Sequence, residues 1–112
     1  MLKVVTFMKQ GVLVVRLEGE FDVCGANEFK AAVDEAQAET GAKNILLNMQ
    51  GVTFIDSSGL GVILGRYKQL ATLGGQLLVA HLEPPIQRLF ELAGLLRILK
   101  IHPTEEQALD LR

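Results

Sequence analysis

Cysteine is nearly absent: Cys24 is the only one. The chain can therefore close no internal disulfide and cannot build a metal site from cysteine pairs. Histidine is almost as scarce, with only His81 and His102, which leaves few bases to activate a nucleophile. There is no tryptophan, and aromatic residues make up 5% of the chain against 49% hydrophobic residues, so its core must be aliphatic. No basic run occurs: 11 basic and 13 acidic side chains are intermixed, for a formal net charge of -2. A nucleic-acid surface needs clustered positive charge to neutralise phosphates, so direct binding of DNA or RNA is disfavoured. No apolar run nears the roughly 20 residues that cross a bilayer. The opening Met1-Leu2-Lys3-Val4-Val5 lacks the parts of a signal peptide. The expectation is a cytoplasmic protein with one domain spanning residues 1–112.

Along the chain, Leu2 to Met8 and Val12 to Glu18 are rich in β-branched residues, with Gln10-Gly11 between them, and read as a hairpin. Gly19-Glu20-Phe21-Asp22 reads as a loop carrying two carboxylates. From about Ala26 to Glu39 the period becomes helical, with Phe29, Ala32, Val33 and Ala36 on one face and Gly41 as the stop. Asn44 to Met49 is an almost continuous apolar strand, as expected for one covered on both faces. A second helix spans Ser58 to Leu73, with Leu60, Ile63, Leu64, Tyr67, Leu70 and Ala71 as its apolar face. Gln76 to Ala80 is a strand. Pro84-Pro85 opens a helix whose buried face is Ile86, Leu89, Phe90 and Ala93. Arg97 to Ile101 reads as a last strand. Thr104-Glu105-Glu106-Gln107 matches a capping box for a terminal helix with Ala108, Leu109 and Leu111 inward.

This order, β-β-α-β-α-β-α-β-α, calls for an α/β fold: a mixed, mostly parallel sheet with helices packed on it. If the second and third strands are parallel, Glu20 and Asp22 lie beside Ser57, at the edge where open α/β sheets bind ligands.

The stretch Phe54-Ile55-Asp56-Ser57-Ser58-Gly59-Leu60-Gly61 joins the apolar strand to the second helix. Hydroxyls at a helix start suggest outward-pointing backbone N–H groups that hold an anion, or a phosphoserine. Helix capping is the plain alternative for Asp56, Ser57 and Ser58. The serines do not sit in a G-x-S-x-G elbow, and no pattern brings His81 or His102 to them, so catalysis by a triad is not expected. Gly59-Leu60-Gly61-Val62-Ile63-Leu64-Gly65 resembles a dinucleotide loop only loosely, because Leu64 stands where the third glycine belongs. Ser58, Gly61 and Gly65 form one stripe with little side chain, at a cost of about 1 kcal/mol per glycine relative to alanine. Two readings of that stripe stand side by side: close packing on a neighbouring element, or a smooth exposed groove for a partner.

Phe54 through Lys68 closely resembles the signature of anti-sigma factor antagonists with the STAS fold, most of all the sporulation-stage-II type. The resemblance extends to Gly19-Glu20-Phe21-Asp22 and to Arg88 through Leu95, and departs at Val23-Cys24-Gly25. It implies a regulatory protein without catalytic residues, cofactor or metal. Unphosphorylated, such a protein binds an anti-sigma factor that is also a serine kinase, and so frees a sigma factor. The kinase, using its own ATP, phosphorylates the first serine of the motif, here Ser57, and a serine phosphatase resets it. Asp22, Asp56 and Ser58 would support the phosphorylation site, and Glu20, Gly59, Gly61 and Gly65 would meet the partner. An alternative is a STAS module that senses a nucleotide or anion at the same helix start without covalent modification. A STAS subunit of a membrane transporter is a third reading, disfavoured by the missing spanning segment.

Overall fold

The computed structural model describes residues 1–111, with Leu111 as backbone only, so the expected inward Leu111 side chain lies outside the described residues. The elements are β1 (Leu2–Lys9), β2 (Val12–Phe21), α1 (Val23–Thr40), β3 (Asn44–Ile55), α2 (Ser57–Thr72), β4 (Gln76–Ala80), α3 (Pro84–Leu92), a 3-10 turn at Leu95–Arg97, β5 (Lys100–His102) and α4 (Glu105–Leu111).

The strands form one sheet in the order β1-β2-β3-β4-β5, with β1 antiparallel and the rest parallel. The β1–β2 turn places both Gln10 (φ 54°) and Gly11 (φ 78°) in the left-handed region, the geometry that matches the twist of a two-residue hairpin. From β2 onward each strand is added on the same side of its predecessor, so successive crossovers of one hand put their helices on one face. Phe29, Val33, Ile63, Leu70, Ile86 and Phe90 from α1, α2 and α3 accordingly share a core with Leu13, Val15, Ile45, Leu47 and Val79 of the sheet. Residues of opposite parity, Val12, Val14, Leu46, Leu78 and Ala80, are covered on the other face by Ala108 and Leu109 of α4.

Several boundaries differ from the sequence reading. The apolar run of β3 ends at Met49, yet the strand continues to Ile55 because β2 continues beside it: Glu18 pairs with Gly51, Glu20 with Phe54 and Phe21 with Ile55. Gly19 to Phe21 are therefore strand rather than loop, with register shifts that absorb the irregularity. Both helices consequently start at once: α1 at Val23 rather than Ala26, and α2 at Ser57 rather than Ser58. Leu95 and Leu99 are both buried, a spacing of one helical turn; a 3-10 turn at Leu95–Arg97 takes Arg97, and the last strand, expected over Arg97 to Ile101, forms only at Lys100–His102. Ala71, Leu89 and Ala93 were expected inside and are exposed. The capping box is half made: Gln107 N–H donates to Thr104 Oγ1 at 3.1 Å.

Candidate functional site

The paired extension of β2 and β3 sets the site. Phe21 and Ile55 are opposite one another, so Asp22 and Asp56 leave the sheet side by side, and Asp56 N–H donates to the Phe21 carbonyl at 3.4 Å. Each aspartate is extended and caps a helix. Asp22 Oδ1 accepts from Gly25 N–H at 2.9 Å, and Asp56 Oδ1 accepts from Ser58 N–H at 2.9 Å and Gly59 N–H at 3.3 Å. Capping by a carboxylate suits the positive end of the helix dipole.

Ser57 is the first residue of α2 and is exposed, while Ser58 is half-buried. Among the described residues neither hydroxyl has a hydrogen-bond partner, so Ser58 contributes its amide to the site rather than its side chain. Glu20, paired with Phe54 one step back along the strands, is exposed and accepts from the Met1 ammonium at 3.1 Å. Glu20, Asp22 and Asp56 thus lie at the same edge of the sheet as the start of α2. The outward, unpaired amides expected at this helix start are mostly occupied: Ser58 and Gly59 give theirs to the Asp56 carboxylate, and Leu60 gives its own to the Asp56 carbonyl at 3.0 Å. Only the Ser57 amide remains, in acidic surroundings. That geometry works against a free anion or nucleotide at this point.

No imidazole reaches Ser57. Asn48 pairs with Ala80 and Ala80 with His102, which fixes His81 and His102 at the level of Asn48. Ile55 lies seven residues further along β3, roughly 20 Å at ~3.3 Å per residue. Serine activation by either histidine is excluded by that distance.

The glycines divide into two kinds. Gly59 is buried, and a Cβ on it would meet the Phe21 carbonyl oxygen at 2.5 Å, Ile55 Cγ1 at 2.8 Å and Phe21 Cδ1 at 2.9 Å. It is a packing glycine, and the expectation that it faces a partner gives way. Gly61 and Gly65 are exposed, and a Cβ on either would meet nothing within 4 Å. Close packing does not explain them. With Ser57 they follow the i, i+4, i+8 ridge of α2, and they border a groove of about 350 Å³ against α1, whose walls include Lys30, Asp34, Val62, Arg66 and Gln69. A concavity of similar size on the opposite sheet face, lined by Lys3, Arg16, Asn48 and Gln50, is remote from Ser57.

Two charged groups escaped the sequence reading. Arg66 is only 7% exposed and ties α2 to α1, donating to Asp34 Oδ1 at 2.7 Å, to Gln69 Oε1 at 3.3 Å and to Gln37 Oε1. Lys30 and Arg66 together hold the Asp34 carboxyl below its ordinary range. The signal was the spacing of position 66, three residues after Ile63 and four before Leu70, both fully buried. Glu105, 6% exposed, accepts two bonds from Arg16, at 2.9 and 3.0 Å, and one from Asn48 at 2.6 Å. It anchors α4 and lies outside the site. Among the described residues no group of three or more histidine, cysteine or acidic side chains is placed to hold a metal ion, and no helix is long and apolar enough to cross a membrane.

The STAS domain family model matches residues 4–108. The anti-sigma F factor antagonist of Paenibacillus polymyxa is 42% identical over 100 residues, covering 89% of this chain and 86% of that protein. Among solved structures, unphosphorylated SpoIIAA, an anti-sigma factor antagonist, superposes with a TM-score of 0.76 at 26% identity, covering 96% of each chain. The phosphorylated form of SpoIIAA, a Bacillus cell fate determinant, gives 0.75 at 28% identity over 96% of this chain and 97% of its own. One fold thus fits both the phosphorylated and unphosphorylated states of that neighbour. The chain belongs to the STAS domain family.

Proposed function

We infer that this protein is a partner-switching anti-sigma factor antagonist, and we propose that Ser57 is where the switch is thrown. Its relatives are regulatory proteins rather than enzymes, and neither histidine reaches Ser57. In this reading a cytoplasmic anti-sigma factor with serine kinase activity docks along α2 and frees its sigma factor. The kinase then transfers the γ-phosphoryl group of ATP: the Ser57 Oγ–P bond forms, the bond to the ADP oxygen breaks, and the hydroxyl proton passes to a base of the kinase. A serine phosphatase hydrolyses the ester and restores the docking surface.

The observation that carries this reading is the row of Ser57, Gly61 and Gly65, all exposed on one ridge of α2. A partner pressed against the bare backbone at Gly61 and Gly65 reaches Ser57 at the head of the same ridge. Phosphorylation adds nearly two negative charges there, beside Asp22 and Asp56. The helix start already carries a carboxylate without unfolding, so the added charge acts on the partner rather than on the fold.

The test uses the purified anti-sigma kinase. Ser57→Ala is expected to bind it like the wild type and to take up no phosphate from ATP, while Ser57→Asp is expected to bind at least about tenfold more weakly, roughly 1.4 kcal/mol. Normal phosphate uptake by Ser57→Ala would overturn the assignment. Saturable ATP or GTP binding by the isolated protein would instead support the nucleotide-sensing alternative.

A further inference from the structure

We propose that Asp56 is a positioning residue for the Ser57 phosphate: by occupying the amides of Ser58 and Gly59 it denies them to the phosphate and keeps it turned away from its own helix. The inference rests on Ser57 being the modified residue. A phosphate on the first residue of a helix ordinarily folds back onto the free N–H groups there, where donors and dipole both favour an anion. Here Asp56 Oδ1 already takes two of those donors, at 2.9 and 3.3 Å, and the Asp56 carbonyl takes the Leu60 amide at 3.0 Å. Only the Ser57 amide is left.

The other charged and titratable groups around this edge do not offer a substitute. Asp22 at the start of α1 is committed to Gly25 N–H. Glu28 and the exposed Cys24 are on α1, and Glu20 at the end of β2 is engaged with the Met1 ammonium at 3.1 Å. That ammonium is the one cation among these groups. A phosphate held off the helix in this way occupies the space a partner needs along the α2 ridge and stays open to a phosphatase.

The experiment uses the full chain carrying Ser57→phosphoserine, introduced during synthesis so that no kinase is needed. The phosphate is titrated by phosphorus NMR and the backbone amides by proton–nitrogen NMR. In the wild-type background the Ser58 and Gly59 amides are expected to stay still while the phosphate titrates at or above about 6, the ordinary value. Asp56→Asn keeps a good cap and removes only the charge, so the phosphate midpoint should fall by a few tenths of a unit, from charge alone, with the amides still unmoved. Asp56→Gly costs only a few tenths of a kcal/mol as a cap, so the variant folds and its amides are released. The midpoint should then drop by roughly one further unit, a tenfold change, as the phosphate takes the freed donors. The Ser58 and Gly59 amides should move with it. The proposal is overturned if those amides follow the phosphate in the wild-type background, or if the Gly and Asn variants titrate alike. Failure of a kinase to label Ser57 would sink the switch reading instead, and leaves this NMR result intact.

Discussion

Gly59 lies against the carbonyl of Phe21, so close that a Cβ added to it would sit 2.5 Å from that oxygen. The same relationship recurs one helix earlier, where a Cβ on Gly25 would sit 2.5 Å from the Glu20 carbonyl oxygen. Both helices begin with an aspartate cap followed three residues later by a glycine, and both rest that glycine on the backbone at the end of β2. The duplicated device seats the two helix starts at one level, which brings Asp22 and Asp56 together beside Ser57.

Gly59→Ala is therefore expected to destabilise the fold by about 1–3 kcal/mol, the usual range for an overpacked core, despite alanine's better helix propensity. Backbone oxygen, unlike the end of a flexible side chain, has nowhere to move. Urea unfolding checks this, and an unchanged midpoint would mean that the close approach relaxes freely.

Gly61→Ala and Gly65→Ala should do the reverse. Nothing lies within 4 Å of either added Cβ, and alanine is favoured by about 1 kcal/mol inside a helix. Each variant should be more stable by roughly that amount and bind the anti-sigma partner more weakly, since the methyl groups stand on the docking ridge. Stability and affinity moving in opposite directions would identify these glycines as retained for binding. Unchanged affinity in both would remove the ridge from the interface.

What was legible in the sequence follows from where side chains alone carry the signal. Buried strands and helix faces show as apolar periodicity, so Ile45–Met49 and the Phe29, Val33, Ala36 face stand where expected. Capping alone would account for Asp56, Ser57 and Ser58; what singled out the aspartate, serines and glycines of the site was the whole run from Phe54 to Lys68 and its family resemblance. What could not be read was pairing. Gln50, Gly51 and Thr53 look like the end of a strand, and only β2 beside them, through Glu18, Gly19 and Glu20, keeps them in the sheet. Likewise, the occupancy of the Ser58 and Gly59 amides depends on the rotation of one carboxylate, which residue spacing does not specify. Arg66 was obscured by its charge, which composition assigns to solvent and Asp34 makes tolerable inside.

Arg66→Ala is expected to cost about 1–3 kcal/mol, because it strands Gln37, Gln69 and Asp34 and opens the α1–α2 contact. Asp34 is 46% exposed on its side chain, so water can take over its carboxylate and the loss stays below that of a fully buried pair. Arg66→Lys should recover only part of it, since one ammonium cannot span partners that a planar guanidinium reaches together. Thermal unfolding of the two variants separates these outcomes. Equal stability of Arg66→Ala and wild type would show that the bonds contribute nothing net.

Acid should loosen α4 first. Glu105 is the first residue of that helix and is bonded to Arg16 of β2 and Asn48 of β3. The Arg16 guanidinium, more than any other group, holds its carboxyl below the ordinary value of 4.5, with Asn48 adding to the effect against the cost of burial. A carboxyl whose folded pKa is depressed contributes stability that is fully present above the unfolded value and is lost as pH falls through the folded one. The contribution is thus constant at neutral pH, begins to fade near pH 4.5 and is gone below the folded value. Asp34, depressed by Lys30 and Arg66, fades over its own acid window on the other side of the sheet. Amide exchange distinguishes the two: between neutral pH and about pH 4 the Ala108 and Leu109 amides should lose protection relative to those of β3. Glu105→Gln should start less protected at neutral pH and show little further change on acidification, having no proton to take up. An α4 that keeps full protection at pH 3 in the wild type would show that Ala108 and Leu109 dock it without the ion pair.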